Sequence, residues 1–181
     1  MDYFESIVKT LLEEQGYWCR QSFKVNVSRE EKHRIGKPTI PRPEIDIVAF
    51  KPGESKLIAL EAKSYLDSAG VRVGDLKNRY EIPTGLYKLF TCIAYREMVF
   101  GALNRELINE GLIDREYPVQ LGLAAGKVHK RAEVEMRDYL TEQGIYFLGP
   151  SDLKKCLTEL STKAYENDPV IMASKILVRD T

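Results

Sequence analysis

Apolar side chains at Phe4, Ile7, Val8, Leu11 and Leu12 repeat at the three-and-four spacing of one helical face, and Gly16 follows as a stop. The spacing predicts an amphipathic helix over 3–15. The period then changes: Phe23, Val25 and Val27 alternate with polar residues, so 17–27 reads as a strand. Residues 28–43 are polar and basic and carry Gly36, Pro38, Pro41 and Pro43, which predicts a loop or loose hairpin extension. Two short apolar runs, 45–50 and 56–63, flank the turn-forming stretch KPGES and are expected to be adjacent antiparallel strands.

Further along, Gly70 and Gly74 mark a connection over 64–74, and a short helical turn is expected over 75–80 before Pro83. Leu89, Ile93, Met98, Leu103 and Leu107 predict one long helix over 86–112. Residues 117–125 are mostly apolar and read as a fourth strand buried in a sheet. A helix over 130–143 closed by Gly144, a fifth strand over 145–148, a helix capped by Ser151 and a last segment opened by Asp168-Pro169 complete the chain. The pattern is α/β: a mixed sheet flanked by helices, with a core over 1–127 and a helix-strand-helix extension over 128–181 packed on the same unit.

At 181 residues, 44% hydrophobic and 30% charged, the chain is sized for one sizeable core. It has no apolar run long enough to span a bilayer and opens with Asp2 and Glu5 instead of a basic stretch. A soluble, cytoplasmic protein with no membrane partner is the expectation. Cys19, Cys92 and Cys156 are far apart and form no CxxC pair, which argues against a structural zinc site and a disulfide framework. Lys plus Arg equals Asp plus Glu at 27 each, so the whole-molecule charge points to no polyanion. Locally the balance differs. Between Arg20 and Pro43, the seven basic residues Arg20, Lys24, Arg29, Lys32, Arg34, Lys37 and Arg42 face only Glu30 and Glu31, an excess of five positive charges.

Candidate chemistry lies in the two central strands. Side chains alternate along a strand, so Glu61 and Lys63 share one face while Leu60 and Ala62 point to the other. On the partner strand Asp46 interrupts the apolar Ile45, Ile47 and Val48, where a carboxylate is costly unless a cation or hydrogen-bond donors compensate it. Two facing carboxylates repel, and a divalent cation between them converts that repulsion into binding energy.

The segment PEIDIVAF over 43–50, followed by LIALEAKSY over 57–65, resembles the PD-(D/E)xK nucleases, a superfamily that includes restriction endonucleases, archaeal Holliday junction resolvases and Mrr-like enzymes. The resemblance covers about residues 1–125, and Pro43 stands three residues before Asp46 instead of directly before it. It implies a restriction endonuclease-like α-β-β-β-α-β core. It also implies Mg (or Mn) held by Asp46 and Glu61, with Lys63 assisting the attacking water or the transition state, and Glu5 as a fourth member from the first helix. Glu44 is a weaker rival to Asp46. The expected activity is a metal-dependent DNA endonuclease, with Arg20, Lys24, Arg34, Lys37 and Arg42 gripping backbone phosphate. Cutting both strands calls for a homodimer. The alternative is a noncatalytic nucleic-acid-binding or assembly module that retains the fold.

Other features carry less. The glycine-rich stretch at 122–128 has its glycines one residue too close for a phosphate-binding loop, and Val128 replaces the required Ser or Thr. His33 and His129 lack ligand-type neighbours at metal spacing. Lys127, Lys130 and Arg131 form a small basic cluster diluted by Glu133 and Glu135.

Overall fold

A computed structural model describes residues 2–179. Helix α1 (Tyr3–Glu14) begins where the Asp2 carboxylate accepts the backbone N–H groups of Phe4 and Glu5, and it buries Phe4, Val8, Leu11 and Leu12. Strand β1 (Trp18–Lys24) follows, then the short α2 (Arg29–Arg34), β2 (Glu44–Lys51) and β3 (Lys56–Lys63). Three helices, α3 (Val73–Lys77), α4 (Lys88–Thr91) and α5 (Ile93–Asn109), lead to β4 (Val119–Ala125). After it come α6 (Glu133–Glu142), β5 (Tyr146–Leu148), α7 (Pro150–Ser161) and α8 (Pro169–Val178).

The five strands form one sheet in the order β1-β2-β3-β4-β5. The first three are antiparallel, and β4 and β5 join parallel to β3. Parallel neighbours need a crossover, which α3 to α5 and then α6 supply. On one face α1 packs Val8, Leu11 and Leu12 against Ile47, Ile58 and Leu60. The opposite face packs Tyr95, Val99 and Leu103 of α5 against Val48, Leu57, Ala59 and Leu123. The C-terminal part is built into both layers: Met136 and Leu140 of α6 join the α5 side, and Leu153, Leu160 and Ile171 of α7 and α8 join the α1 side. Among the described residues no helix is long and apolar enough to cross a membrane.

Three local expectations are corrected. The stretch expected to be a loop contains α2, where the Ser28 side chain accepts the Glu31 N–H and the Glu31 carboxylate accepts the Ser28 N–H. The long helix over 86–112 is broken at Cys92, which is extended (φ −126°, ψ 106°). The Thr91 carbonyl, which an unbroken helix would offer to the Tyr95 N–H, instead accepts the Tyr80 N–H at 2.8 Å. Finally, Gly149, not Ser151, caps α7: its N–H goes to Asp152, while Ser151 is bonded to Glu133.

One irregularity shapes the centre of the sheet. Cys19 packs on the α1 side, whereas Phe23 and Val25 pack on the α5 side, although strict alternation would give all three one face. Ser22 stands between them with φ +50°. Its neighbour strand switches at the same level, with Ile47 on the α1 side and Ile45 on the α5 side. Asp46 is the residue at that switch.

Candidate active site

Asp46 lies near the start of β2 and Glu61 and Lys63 at the end of β3, and the Ile47–Leu60 register brings them side by side. Asp46 Oδ2 accepts the backbone N–H of Ala62 at 2.8 Å and the Lys63 ammonium at 3.1 Å. Lys63 Nζ is also 3.5 Å from Glu61 Oε2. That second contact is within ion-pair range, yet Glu61 Oε2 is buried and accepts no hydrogen bond. Glu61 and Lys63 continue the α5-side row of Leu57 and Ala59, as strand alternation requires.

Burial governs the electrostatics. The Glu61 side chain keeps 12% of its surface exposed, and desolvation pushes its carboxyl up to about 7; Lys63 opposes the rise and Asp46 adds to it. Burial also works against the Lys63 charge, but Glu61 and Asp46 outweigh it and hold the ammonium above the ordinary lysine value. The carboxylates thus favour the lysine charge, and the lysine in turn restrains the rise at Glu61.

Glu5 reaches the cluster from the other layer. The first turn of α1 overhangs the end of the sheet, where Phe4 approaches Gly126 and Ser6 accepts a hydrogen bond from Gln21. Burial, then the charges of Asp46, Asp2 and Glu44, push the Glu5 carboxyl up to about 7. Glu44 itself is exposed and pairs with Lys24 at 3.9 Å. The strand register therefore joins Asp46, Glu61 and Lys63, and Glu5 stands near enough to Asp46 and Lys63 for their charges to act on it.

The basic candidates are divided. Arg20 is tied to Glu110 at 2.7 Å and stacks over Phe23. Lys24 faces Glu44, and Arg42 donates to the Lys24 carbonyl at 2.6 Å, bracing the loop against β1. Arg34 is exposed in a cleft with Glu31, Glu97 and Arg105, and Lys37 is half-buried without a carboxylate partner among the described residues. The loop that holds Arg34, Lys37 and Arg42 leaves β1 and enters β2 at the same end of the sheet as Lys63.

Sequence reasoning missed three groups around Glu61. The Lys88 ammonium acts on it from α4, and Glu61 is close enough to Tyr87 and Tyr95 to help raise both phenols, which burial raises first, Tyr95 to about 12. Tyr87 and Tyr95 lie within the stretch whose apolar spacing predicts one long helix, and nothing local in that spacing points to β3.

Among the described residues no three His, Cys, Asp or Glu side chains converge as a ready metal cage. The donor set nevertheless suits Mg²⁺, which is commonly held by one or two carboxylates with water and phosphate completing its shell. Glu61 Oε2, buried beside Asp46 and accepting no hydrogen bond, is an oxygen donor of the kind such a cation takes. No family model, curated protein or solved structure matches the chain.

Proposed function

We propose that the chain is a Mg²⁺-dependent nuclease, a DNA endonuclease of the PD-(D/E)xK type with a restriction endonuclease-like core. The observation that carries this reading is the buried Glu61 Oε2, which accepts no hydrogen bond, next to Asp46, with the Lys63 ammonium in ion-pair range of both carboxylates. Bound there, the metal would polarise the phosphoryl group and acidify a coordinated water. Asp46 and Glu61 would hold it. Asp46 is oriented by the Ala62 N–H, which fixes its carboxylate beside Glu61. Lys63 would place positive charge where negative charge grows on the phosphoryl oxygens and orient the attacking water. Glu5 would accept a proton at the rim, which suits a carboxyl held near 7. Duplex cleavage would engage two chains in a twofold dimer.

A second reading has an observation of its own. Lys63 contacts both carboxylates, so the three form an ion triad that can act structurally in a noncatalytic nucleic-acid-binding module. Incubating plasmid, single-stranded and branched DNA with Mg²⁺ or Mn²⁺ separates the two. The nuclease reading expects cleavage by the wild type and none by Lys63→Ala or Asp46→Ala; DNA binding without any cleavage by the wild type supports the binding module.

A further inference from the structure

Where β4 ends, residues 126–132 turn around a cleft of about 380 Å³ whose walls include Lys127, Lys130 and Arg131. It lies next to the candidate site. Ala125 is the register partner of Lys63, the Gly126 N–H donates to the Lys63 carbonyl at 2.9 Å, and Lys127 Nζ reaches the Leu66 carbonyl at 3.4 Å. Adjacent strands are about 4.8 Å apart, and a DNA strand advances about 3.4 Å per nucleotide. The cleft is therefore within a few nucleotides of a bond seated at Asp46 and Glu61.

Its lining is predominantly cationic. One acid, Glu133, shares the wall, but it is taken up by Arg137 at 3.2 Å and by Ser151, and Glu135 pairs with Lys77 at 3.4 Å. Lys127, Lys130 and Arg131 have no carboxylate partner among the described residues. Lys130 and Arg131 moreover stand consecutively in the left-handed region, with φ of 51° and 56°. That conformation is unfavourable for residues with a Cβ and favours glycine. Strained backbone of this kind clusters at ligand clamps, and here it presents two cationic side chains, without carboxylate partners among the described residues, beside a cleft.

We propose that Lys127, Lys130 and Arg131 form a second phosphodiester subsite, which holds backbone phosphates of DNA a few nucleotides from the bond placed at Asp46, Glu61 and Lys63. The proposal rests on the nuclease reading and gives the substrate a direction. The strand crosses the end of the sheet from the basic loop between β1 and β2 to the turn after β4.

The test is DNA binding by the full chain without metal, measured by anisotropy of a labelled duplex over a range of salt concentrations. Lys127→Ala combined with Lys130→Gly and Arg131→Gly removes the charges while relieving the left-handed strain, so thermal melting is not expected to fall. Each lost phosphate contact lowers the slope of log K against log salt by about 0.9. The triple variant is thus expected to lose about 2 to 3 from that slope and at least about tenfold in affinity at moderate salt. Lys155→Ala, an exposed change on α7, is expected to leave both unchanged.

Wild-type binding with an unaltered slope in the triple variant overturns the subsite and leaves the nuclease reading standing. Failure of the wild type to bind duplex, single-stranded or branched DNA at low salt overturns both. If inorganic phosphate stabilises the wild type, and the triple variant loses that effect while keeping its DNA affinity, the turn is a small-anion site and the proposal fails.

Discussion

Lys63 Nζ donates to Asp46 Oδ2 at 3.1 Å, a bond between the end of one strand and the start of its neighbour, with both side chains about four-fifths buried. Removing the ammonium leaves two carboxylates facing each other in a poorly solvated place. Lys63→Met is expected to cost about 2–3 kcal/mol without metal, since breaking one partner from a buried pair strands the other. Urea denaturation in a chelator checks this. Under the nuclease reading the same variant loses at least about a hundredfold in cleavage rate.

Stability should also depend on pH through Glu61. Its carboxyl titrates at about 7 in the folded chain against 4.5 ordinarily, so between those values the folded state binds the proton more tightly. The corresponding stability is fully present below 4.5 and is lost as pH rises through 7. The loss from Glu61 alone is on the order of 3 kcal/mol. Glu61→Gln is expected to flatten metal-free stability between about pH 5 and pH 8, read as denaturation midpoints in a pH series. An unchanged slope would show that burial does not raise this group.

Metal should reverse that loss, because Mg²⁺ competes with the proton for the same oxygens. The Mg²⁺-induced rise in melting temperature is expected to grow from pH 6 to pH 8, through the range where Glu61 and Glu5 give up protons at about 7. At ten times its Kd a ligand specific for the folded state adds about 1.4 kcal/mol. Asp46→Asn is expected to abolish the shift, and Glu5→Gln to make it less steep with pH. A shift that survives Asp46→Asn unchanged places the metal elsewhere.

Gly126 is a structural counterpart to these polar predictions. A Cβ there would run into the Ser64 carbonyl oxygen and come within 3.2 Å of the Phe4 ring. The first of these is backbone and cannot swing away. Gly126→Ala is expected to destabilise by about 2–3 kcal/mol, measured by denaturant midpoint, through forced separation of the ends of β3 and β4.

A milder effect is expected at Ser28, which caps α2 reciprocally with Glu31. Ser28→Ala should cost about 1 kcal/mol and reduce hydrogen-exchange protection at Glu31, without altering any Mg²⁺ response. The Ser-x-x-Glu spacing of that cap was present in the sequence, but glycine and three prolines nearby obscured it. The helix is six residues long and buries none of its side chains, so no apolar period announces it.

What the sequence by itself determined was whatever a repeating backbone dictates over a few residues. The three-and-four spacing of Phe4, Val8, Leu11 and Leu12 made α1, and alternation set Glu61 and Lys63 on one face. The short turn between β2 and β3 was enough to bring Asp46 beside them, because a hairpin leaves its strands few registers to choose from. Tertiary structure alone decided the rest. Ser22 in a left-handed conformation lies where β1 and β2 change faces around Asp46, and α1 carries Glu5 within reach of the charges of Asp46 and Lys63. The Tyr80–Thr91 bond separates α4 from α5, and the folding of those helices over β3 brings Lys88 and Tyr95 toward Glu61. Each of these joins residues far apart in the chain, and such meetings depend on how twisted layers stack and connections close, which periodicity within an element does not encode.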